Sequence, residues 1–276
     1  MTSFAPSGTR LVEHLGVGSV FEVAIVRSGA EQELVCKRVA PRARLAAGES
    51  ALDREQAILV AARSDHLARA VSWGSDERGG FLLETRAAGG AVRRLIDEPR
   101  PVGAAAFIEL ARASSEALAS LHALRDAKGN LSVVHGDISP DNLFFAEPST
   151  ITFIDLSSAT FRDAPAPVFP RDRGTLPYVA PELARGEIAA SAATDTYALA
   201  ATLLAIALGR SIVGTNTEAS RLLEVATQGI DMNLVDQRTD LPSPARRALA
   251  QALAFDPAAR LTSSRELARA FQTQVG

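Results

Sequence analysis

Sulfur is nearly absent from this chain. Its 276 residues contain one cysteine, Cys36, so no internal disulfide can form and a reducing compartment suits it. Lysine is almost as scarce, since the 29 basic residues include only Lys37 and Lys128 and the rest are arginine. An excess of positive charge is missing too: a net charge of −3 and a pI near 5.9 leave no basic footprint for nucleic acid. No run is long enough to cross a bilayer, because the longest apolar stretch, Tyr197 to Leu208, is short and interrupted by Thr202. Met1 to Arg10 is polar and lacks an apolar signal core. Together these absences predict a soluble, cytoplasmic chain with no membrane insertion and no nucleic-acid partner. Apolar residues, by contrast, make up 47% of the chain, ample for the core of one large domain or two small ones. There is no internal repeat, and the one biased tract is an Ala/Pro-rich loop at Ala164 to Pro170.

The densest chemistry lies in Val133-Val134-His135-Gly136-Asp137-Ile138-Ser139-Pro140-Asp141-Asn142-Leu143-Phe144-Phe145. An Asp and an Asn flank a proline turn, and an apolar run follows. Leu143 to Phe145 and Ile151 to Ile154 read as strands joined through Glu147-Pro148-Ser149. A register pairing Leu143 with Ile154 would make Asn142 and Asp155 cross-strand neighbours, roughly 5 Å apart. Oxygen donors at the mouth of an apolar hairpin suit a hard cation such as magnesium, which keeps water and phosphate oxygens in its other positions. The plainer alternative is that Asp and Asn only cap strand ends and turns.

Val20 to Val26 reads as a strand, Ser28-Gly29-Ala30 as a turn and Leu34 to Val39 as the antiparallel partner. Alternation puts Val35, Lys37 and Val39 on one face, where a buried ammonium is costly unless paired. A lysine kept at a sheet edge for solubility is the other explanation. Helical spacing over Glu49 to Arg63 places Leu52, Glu55, Leu59 and Ala62 on one stripe, so a carboxylate interrupts that stripe as well. An acid and a base, each out of pattern in consecutive elements, can satisfy each other. Ala70 to Trp73 and Gly80 to Glu84 complete a small antiparallel sheet. Phe107, Leu110, Ala111, Ser114, Leu118 and Leu121 trace one face of a long helix, with His122 as a packed core histidine. Further on, Asp195 opens an apolar helix over Thr196 to Leu208, favoured there by the macrodipole. Ser243-Pro244 supplies an N-cap and first residue, and Ser263 to Glu266 has capping-box spacing.

These residues resemble the protein kinases, from about Arg10 to Phe271. His135-Gly136-Asp137 with Asn142 is similar to the catalytic loop, and Asp155-Leu156-Ser157 to the metal-binding DFG segment. Gly174-Thr175-Leu176-Pro177-Tyr178-Val179-Ala180-Pro181-Glu182 resembles the end of the activation segment in bacterial serine/threonine kinases. The separations agree: Asp137 to Asp155 is 18 residues (155 − 137) and Asn142 to Asp155 is 13 (155 − 142). The resemblance implies an α+β, two-lobed fold, with a sheet-and-helix lobe over 1–86 and a mainly helical lobe over 87–276. It implies ATP and magnesium as cofactors and a protein Ser/Thr hydroxyl as acceptor.

Residue by residue, the resemblance makes Lys37 and Glu55 the ion pair that holds a lysine on the nucleotide's phosphates. Asp155 and Asn142 would hold magnesium. Asp137, ionised with an ordinary pKa near 4, would orient the substrate hydroxyl. Thr175 would mark a serine/threonine enzyme. Val20 and Val35 would cover the nucleotide with Gly16 and Gly18, whose missing side chains let backbone amides approach phosphate. Taking Gly16 and Gly18 as the first two glycines of that loop puts Phe21 at the third. Matching Val20-Phe21 to the family's Val-Tyr pair instead makes Gly18 the third and leaves Glu13 at the first, which is the preferred alignment; a simple glycine hairpin turn is the alternative. Phe81 to Arg86 resembles the hinge, with Leu83 guarding the pocket and backbone groups of Glu84 to Arg86 bonding adenine. Ala87-Ala88-Gly89-Gly90 marks the lobe boundary. Asp195 would tie down the catalytic loop, and Arg260 would pair with Glu182.

Four departures open other readings. Gly136 replaces the arginine that reads a phosphorylated activation loop, and no Ser, Thr or Tyr lies between Thr160 and Thr175; both imply activity without activation-loop phosphorylation. Ser139 stands where a lysine meets the γ-phosphate, and Ser157 replaces a glycine at a switch point, where it would restrict the backbone. With the degenerate glycine loop, these two favour a pseudokinase that binds nucleotide or protein partners. His-Gly-Asp also resembles aminoglycoside and choline kinases, although Gly174 to Glu182 is a protein-substrate platform that those enzymes lack.

Overall fold

The computed structural model describes residues 4–41, 45–98, 101–162, 174–187, 189–214, 217–261 and 263–272. Five antiparallel strands come first: β1 (Thr9–Val17), β2 (Phe21–Ser28), β3 (Glu33–Val39), β4 (Ala70–Asp76) and β5 (Gly79–Thr85), in the order β1-β2-β3-β5-β4. One helix, α1 (Leu45–Ala61), packs on this sheet. It begins four residues before the predicted Glu49, because Leu45, Ala46 and Ala47 are good helix formers. The sheet separates two apolar clusters. Leu82 faces α1 with Leu52, Ile58 and Leu59, while Leu34, Cys36 and Leu83 pack on the other side with Phe4, Ala5, Ala24 and Val26.

The rest is mainly helical. After the short strand β6 (Gly90–Ala91), α2 (Ala104–His122) buries the predicted stripe from Phe107 to Leu121. A small hairpin, β7 (Arg125–Asp126) with β8 (Gly129–Asn130), precedes β9 (Leu143–Ala146) and β10 (Thr150–Phe153). Then come α3 (Pro181–Ala184), α4 (Ala192–Leu208), α5 (Glu218–Gln228), α6 (Asn233–Asp236), α7 (Ser243–Ala252) and α8 (Ser264–Gln272).

The apolar run Tyr197 to Leu208 lies within α4, which is buried on all sides and is the axle of this lobe. Among the described residues no helix is long and apolar enough to cross a membrane. A Ser191–Thr194 capping box starts α4 three residues ahead of Asp195, and Gly209 in the left-handed region closes it. Phe107 of α2 meets Phe271 of α8 edge to face, with ring centroids 6.1 Å apart. Two capping predictions need adjusting. Pro242 is the N-cap of α7 and Ser243 lies inside the helix. Ser263 precedes α8 and accepts Glu266 N through its carbonyl at 3.1 Å.

The lobe junction is fastened to the hairpin. Gly90 and Ala91 pair with Phe145 and Phe144, making a three-stranded sheet β10-β9-β6. Gly89 has φ +74°, and a Cβ there would stand 2.0 Å from the Phe145 carbonyl oxygen, so only glycine lets the chain pass. The hairpin register is one residue from the predicted one, with Leu143 opposite Phe153 and Ala146 opposite Thr150. A three-residue loop, Glu147 to Ser149, closes it. That loop length sets the parity, and both Leu143 and Phe153 are buried. Asn142 is therefore not opposite Asp155; its carbonyl accepts Ile154 N at 3.0 Å. The Ala/Pro-rich loop at 164–170 lies outside the described residues.

Candidate active site

Asp195 organises the loop that carries Asp137. From the first turn of α4 its carboxylate accepts His135 N at 2.8 Å and Gly136 N at 2.9 Å. His122, at the end of α2, lies 2.9 Å from the same carboxylate through Nε2. It is thus a partner of Asp195, a correction to the reading of His122 as core packing. His135 is buried, its Nε2 lies 3.1 Å from Ile154 O, and Asp137 N donates to its Nδ1 at 3.3 Å. An accepting Nδ1 assigns the ring proton to Nε2.

Gly136 has φ +79°, and a Cβ there would lie 2.7 Å from Ser158 O. The arginine absent from this position could not be added without moving the loop. Gly136→Ala is expected to cost ~1–3 kcal/mol, from the left-handed backbone and the clash. That corresponds to a Tm lower by about 3–10 °C, measured by calorimetry; a Tm within one degree of the parent would contradict the strain.

Three predicted residues converge here. Asp137 Oδ1 accepts Thr175 Oγ1 at 2.7 Å, and Asn142 Nδ2 donates to Asp137 O at 3.0 Å and to Asp137 Oδ2 at 3.2 Å. Burial pushes the Asp137 carboxyl above its ordinary value, against the Thr175 hydrogen bond and with help from the Asp155 charge. Asp155 is left-handed, at φ +60°, and its Oδ1 accepts Ser157 N at 3.3 Å. Ser157 is not among the residues of positive φ, so the glycine missing there is not required by the backbone.

The paired acid and base also meet. Lys37 Nζ donates to Glu55 Oε1 at 2.5 Å, and Leu156 N donates to the same oxygen at 3.0 Å. Arg54, the residue before Glu55, donates from Nη1 to Ser157 O at 3.0 Å. Two successive residues of α1 thus bind two successive residues of the Asp155 segment.

The hinge prediction needs correction at Leu83, and the Glu84 side chain has a place that it did not include. Register pairs Lys37 with Leu82 and Val35 with Glu84, so Leu82 and Glu84 share the lysine's face. Leu83 points the other way, into the cluster beneath Phe4, and guards nothing. The Glu84 side chain is buried, with Oε1 3.2 Å from Lys37 Nζ. An acid ending the apolar run from Phe81 to Leu83 was the available signal, of the same kind that found Glu55. Arg86 is a surface residue paired with Glu33 at 2.6 Å. Val20 and Val35 are half-buried, whereas Gly16 and Gly18 are exposed. Gly18 N donates to Phe21 O at 2.8 Å, which closes the turn between β1 and β2.

Burial raises both acids beside Lys37, Glu55 to about 7 even against the lysine's pull. Lys37 is itself raised, because the charges of Glu55, Glu84 and Asp155 outweigh its burial. A carboxyl raised in the folded state favours folding when protonated and loses that advantage as pH rises from the unfolded value of 4.5 through the folded one. Glu84→Gln removes that loss. The variant's Tm relative to the parent should therefore climb between pH 5 and pH 8; a constant difference across that range would count against the buried acids.

Sequence reasoning also missed Arg93, which donates to Asp141 from Nη2 at 2.6 Å and to Tyr178 Oη from Nη1 at 3.3 Å. Tyr178 N bonds Thr175 O at 2.8 Å, so this cluster braces the Thr175 turn beside Asp137. Glu182 is clamped by Arg260 at 2.5 and 2.8 Å, as the sequence implied.

A sheet lobe with a buried lysine–glutamate pair, joined to a helical lobe that presents Asp137, Asn142 and Thr175, defines a kinase fold. The chain belongs to the protein kinase family: the model for the protein kinase domain matches residues 9–272. No curated protein matches the chain. Membership brings ATP as phosphoryl donor, typically with a divalent metal, and proteins as acceptors.

The residues present fit such a metal. Asn142 commits its nitrogen to Asp137, which leaves Oδ1 as a neutral oxygen donor, and its carbonyl accepts the N of Ile154, the residue before Asp155. Among the described residues no group of three or more His, Cys, Asp or Glu could hold a metal ion.

Proposed function

We propose that this chain is a cytoplasmic serine/threonine protein kinase that uses MgATP and needs no phosphate on its activation segment. The observation that carries the reading is the Asp137 carboxylate held between Thr175 Oγ1 at 2.7 Å and Asn142 Nδ2 at 3.2 Å. Lys37 holds the nucleotide's phosphates, with Glu55 fixing its position. Gly16, Gly18, Val20 and Val35 cover the nucleotide, and backbone groups at 84–86 meet the adenine. Asn142 and Asp155 hold magnesium, which when bound neutralises charge on the phosphates. Asp137 accepts the hydrogen bond of the attacking hydroxyl and receives its proton as the phosphoryl group transfers. Thr175 beside it favours an aliphatic hydroxyl as acceptor.

Independence from phosphorylation is supported by Gly136, which cannot read a phosphate, and by the fastening of α1 to 156–157 through Glu55 and Arg54. The test is transfer of label from ATP with magnesium to a generic protein, followed by phosphoamino-acid analysis. Phosphoserine and phosphothreonine are expected, at a rate unaffected by prior phosphatase treatment. Loss of turnover after phosphatase would refute the second half of the reading, and phosphotyrosine the first.

One observation favours a pseudokinase instead. Ser139 is buried, its Oγ is without a hydrogen-bond partner among the described residues, and it brings no cation toward the γ-phosphate. On that reading ATP with magnesium raises the melting temperature and no label moves.

A further inference from the structure

Lys37 carries two carboxylates that are held differently. Glu55 Oε1 is anchored twice, by Lys37 Nζ at 2.5 Å and by Leu156 N at 3.0 Å. Glu84 Oε1 lies 3.2 Å from the same nitrogen, and Lys37 is the one polar partner of the Glu84 side chain among the described residues. All three are enclosed: the side chains of Lys37, Glu55 and Glu84 are 6%, 1% and 5% exposed. A single ammonium cannot neutralise two carboxylates, and a buried carboxylate without its own cation is costly. Asp155 adds negative charge to the same field from the segment after β10. The nucleotide's phosphates bring several more negative charges to the lysine that Glu84 already holds.

We infer that Glu84 sets nucleotide affinity in this site, as a carboxylate at the end of β5 that competes with the phosphates for Lys37 and must release it when they bind. Glu55 is not the group that lets go, because Leu156 N keeps it in place. Glu84 is also placed to act, since it is the last buried residue of β5 before the chain leaves for the second lobe, on the lysine's face of the sheet. Its role rests on the nucleotide-binding reading above and deepens it. The competition lowers affinity, and like charges within several ångströms in a partly buried site repel strongly enough to shift binding by about tenfold or more.

The test is titration calorimetry of ATP with magnesium against the parent, Glu84→Gln and Glu84→Met. The first variant keeps the shape without the charge. The second keeps the wall apolar, like Leu82, should the amide fold poorly. Both variants are expected to bind about tenfold more tightly. An orthogonal readout is thermal stabilisation: at a given concentration, ATP with magnesium should raise the Tm further above its ligand-free value in both variants than in the parent. Equal or weaker ATP binding by both variants, with the parent binding normally, overturns the competition and makes Glu84 a residue that presents Lys37. Absence of ATP binding in all three proteins overturns the nucleotide reading itself, and this inference with it.

Discussion

Asp137→Asn is expected to lower phosphoryl transfer by about 10²–10⁴-fold, the range for losing a positioned proton acceptor. Binding of ATP with magnesium should stay within a few-fold. The two effects separate because the substitution can be accommodated locally. An amide oxygen at position 137 can still accept from Asn142 Nδ2, and an amide nitrogen can donate to the Thr175 hydroxyl, so both contacts survive, with donor and acceptor exchanged only at Thr175. Backbone placement survives as well, since Asp195 grips the loop through His135 N and Gly136 N and not through the 137 side chain. What disappears is an anionic acceptor for the hydroxyl proton. Labelled transfer measures the loss, and thermal stabilisation by ATP with magnesium measures the binding. A variant that transfers at close to the parent rate would remove Asp137 from the chemistry. The same carboxyl gives a pH signature. Because burial raises it, it gains its proton at a higher pH than an ordinary aspartate, and transfer should decline on acidification before pH 4 is reached.

Lys37, Glu55 and the catalytic loop were legible because each is a polar residue breaking an apolar pattern, and burial makes such a break costly unless something compensates it. The hairpin register was not legible. Leu143-Phe144-Phe145 and Ile151 to Ile154 contain too little alternation to fix which face is inward, so loop length decided it and displaced Asn142 from Asp155 by one position. The placement of the Glu84 side chain was missed for a related reason. In Phe81-Leu82-Leu83-Glu84 the apolar run carries no parity of its own, and only the pairing of Lys37 with Leu82 shows that Leu83 faces away while Glu84 faces the lysine. His122 was misread because its partner, Asp195, lies 73 residues further on, a distance over which helical periodicity says nothing. The Arg93 cluster joins three segments in the same way, and each of its residues alone reads as an ordinary surface or core position.

Arg260→Ala is expected to cost the fold ~3–5 kcal/mol, the usual penalty for breaking a buried ion pair from one side. The side chains of Arg260 and Glu182 are 1% and 3% exposed. Arg260 also donates to Ala254 O at 2.6 Å and Phe255 O at 3.1 Å, and its guanidinium lies 4.6 Å from the Tyr197 ring centroid. Removing it strands the Glu182 carboxylate in the core and leaves two carbonyls without their donor. In a domain of this size the Tm should fall by about ten degrees. Arg260→Lys should recover little of this, since an ammonium cannot reproduce the two-pronged contact. A double replacement, Arg260→Met with Glu182→Leu, should lose less than the sum of the single changes, because no charge is then left buried alone. Glu182 lies in the first turn of α3, four residues after the Tyr178 that closes the Thr175 turn, so the damage should spread toward Asp137. Proteolysis within 174–187 should accelerate in Arg260→Ala before global unfolding begins. Equal protease resistance of that segment in parent and variant would confine the pair to holding the helical lobe and release it from any part in shaping the site.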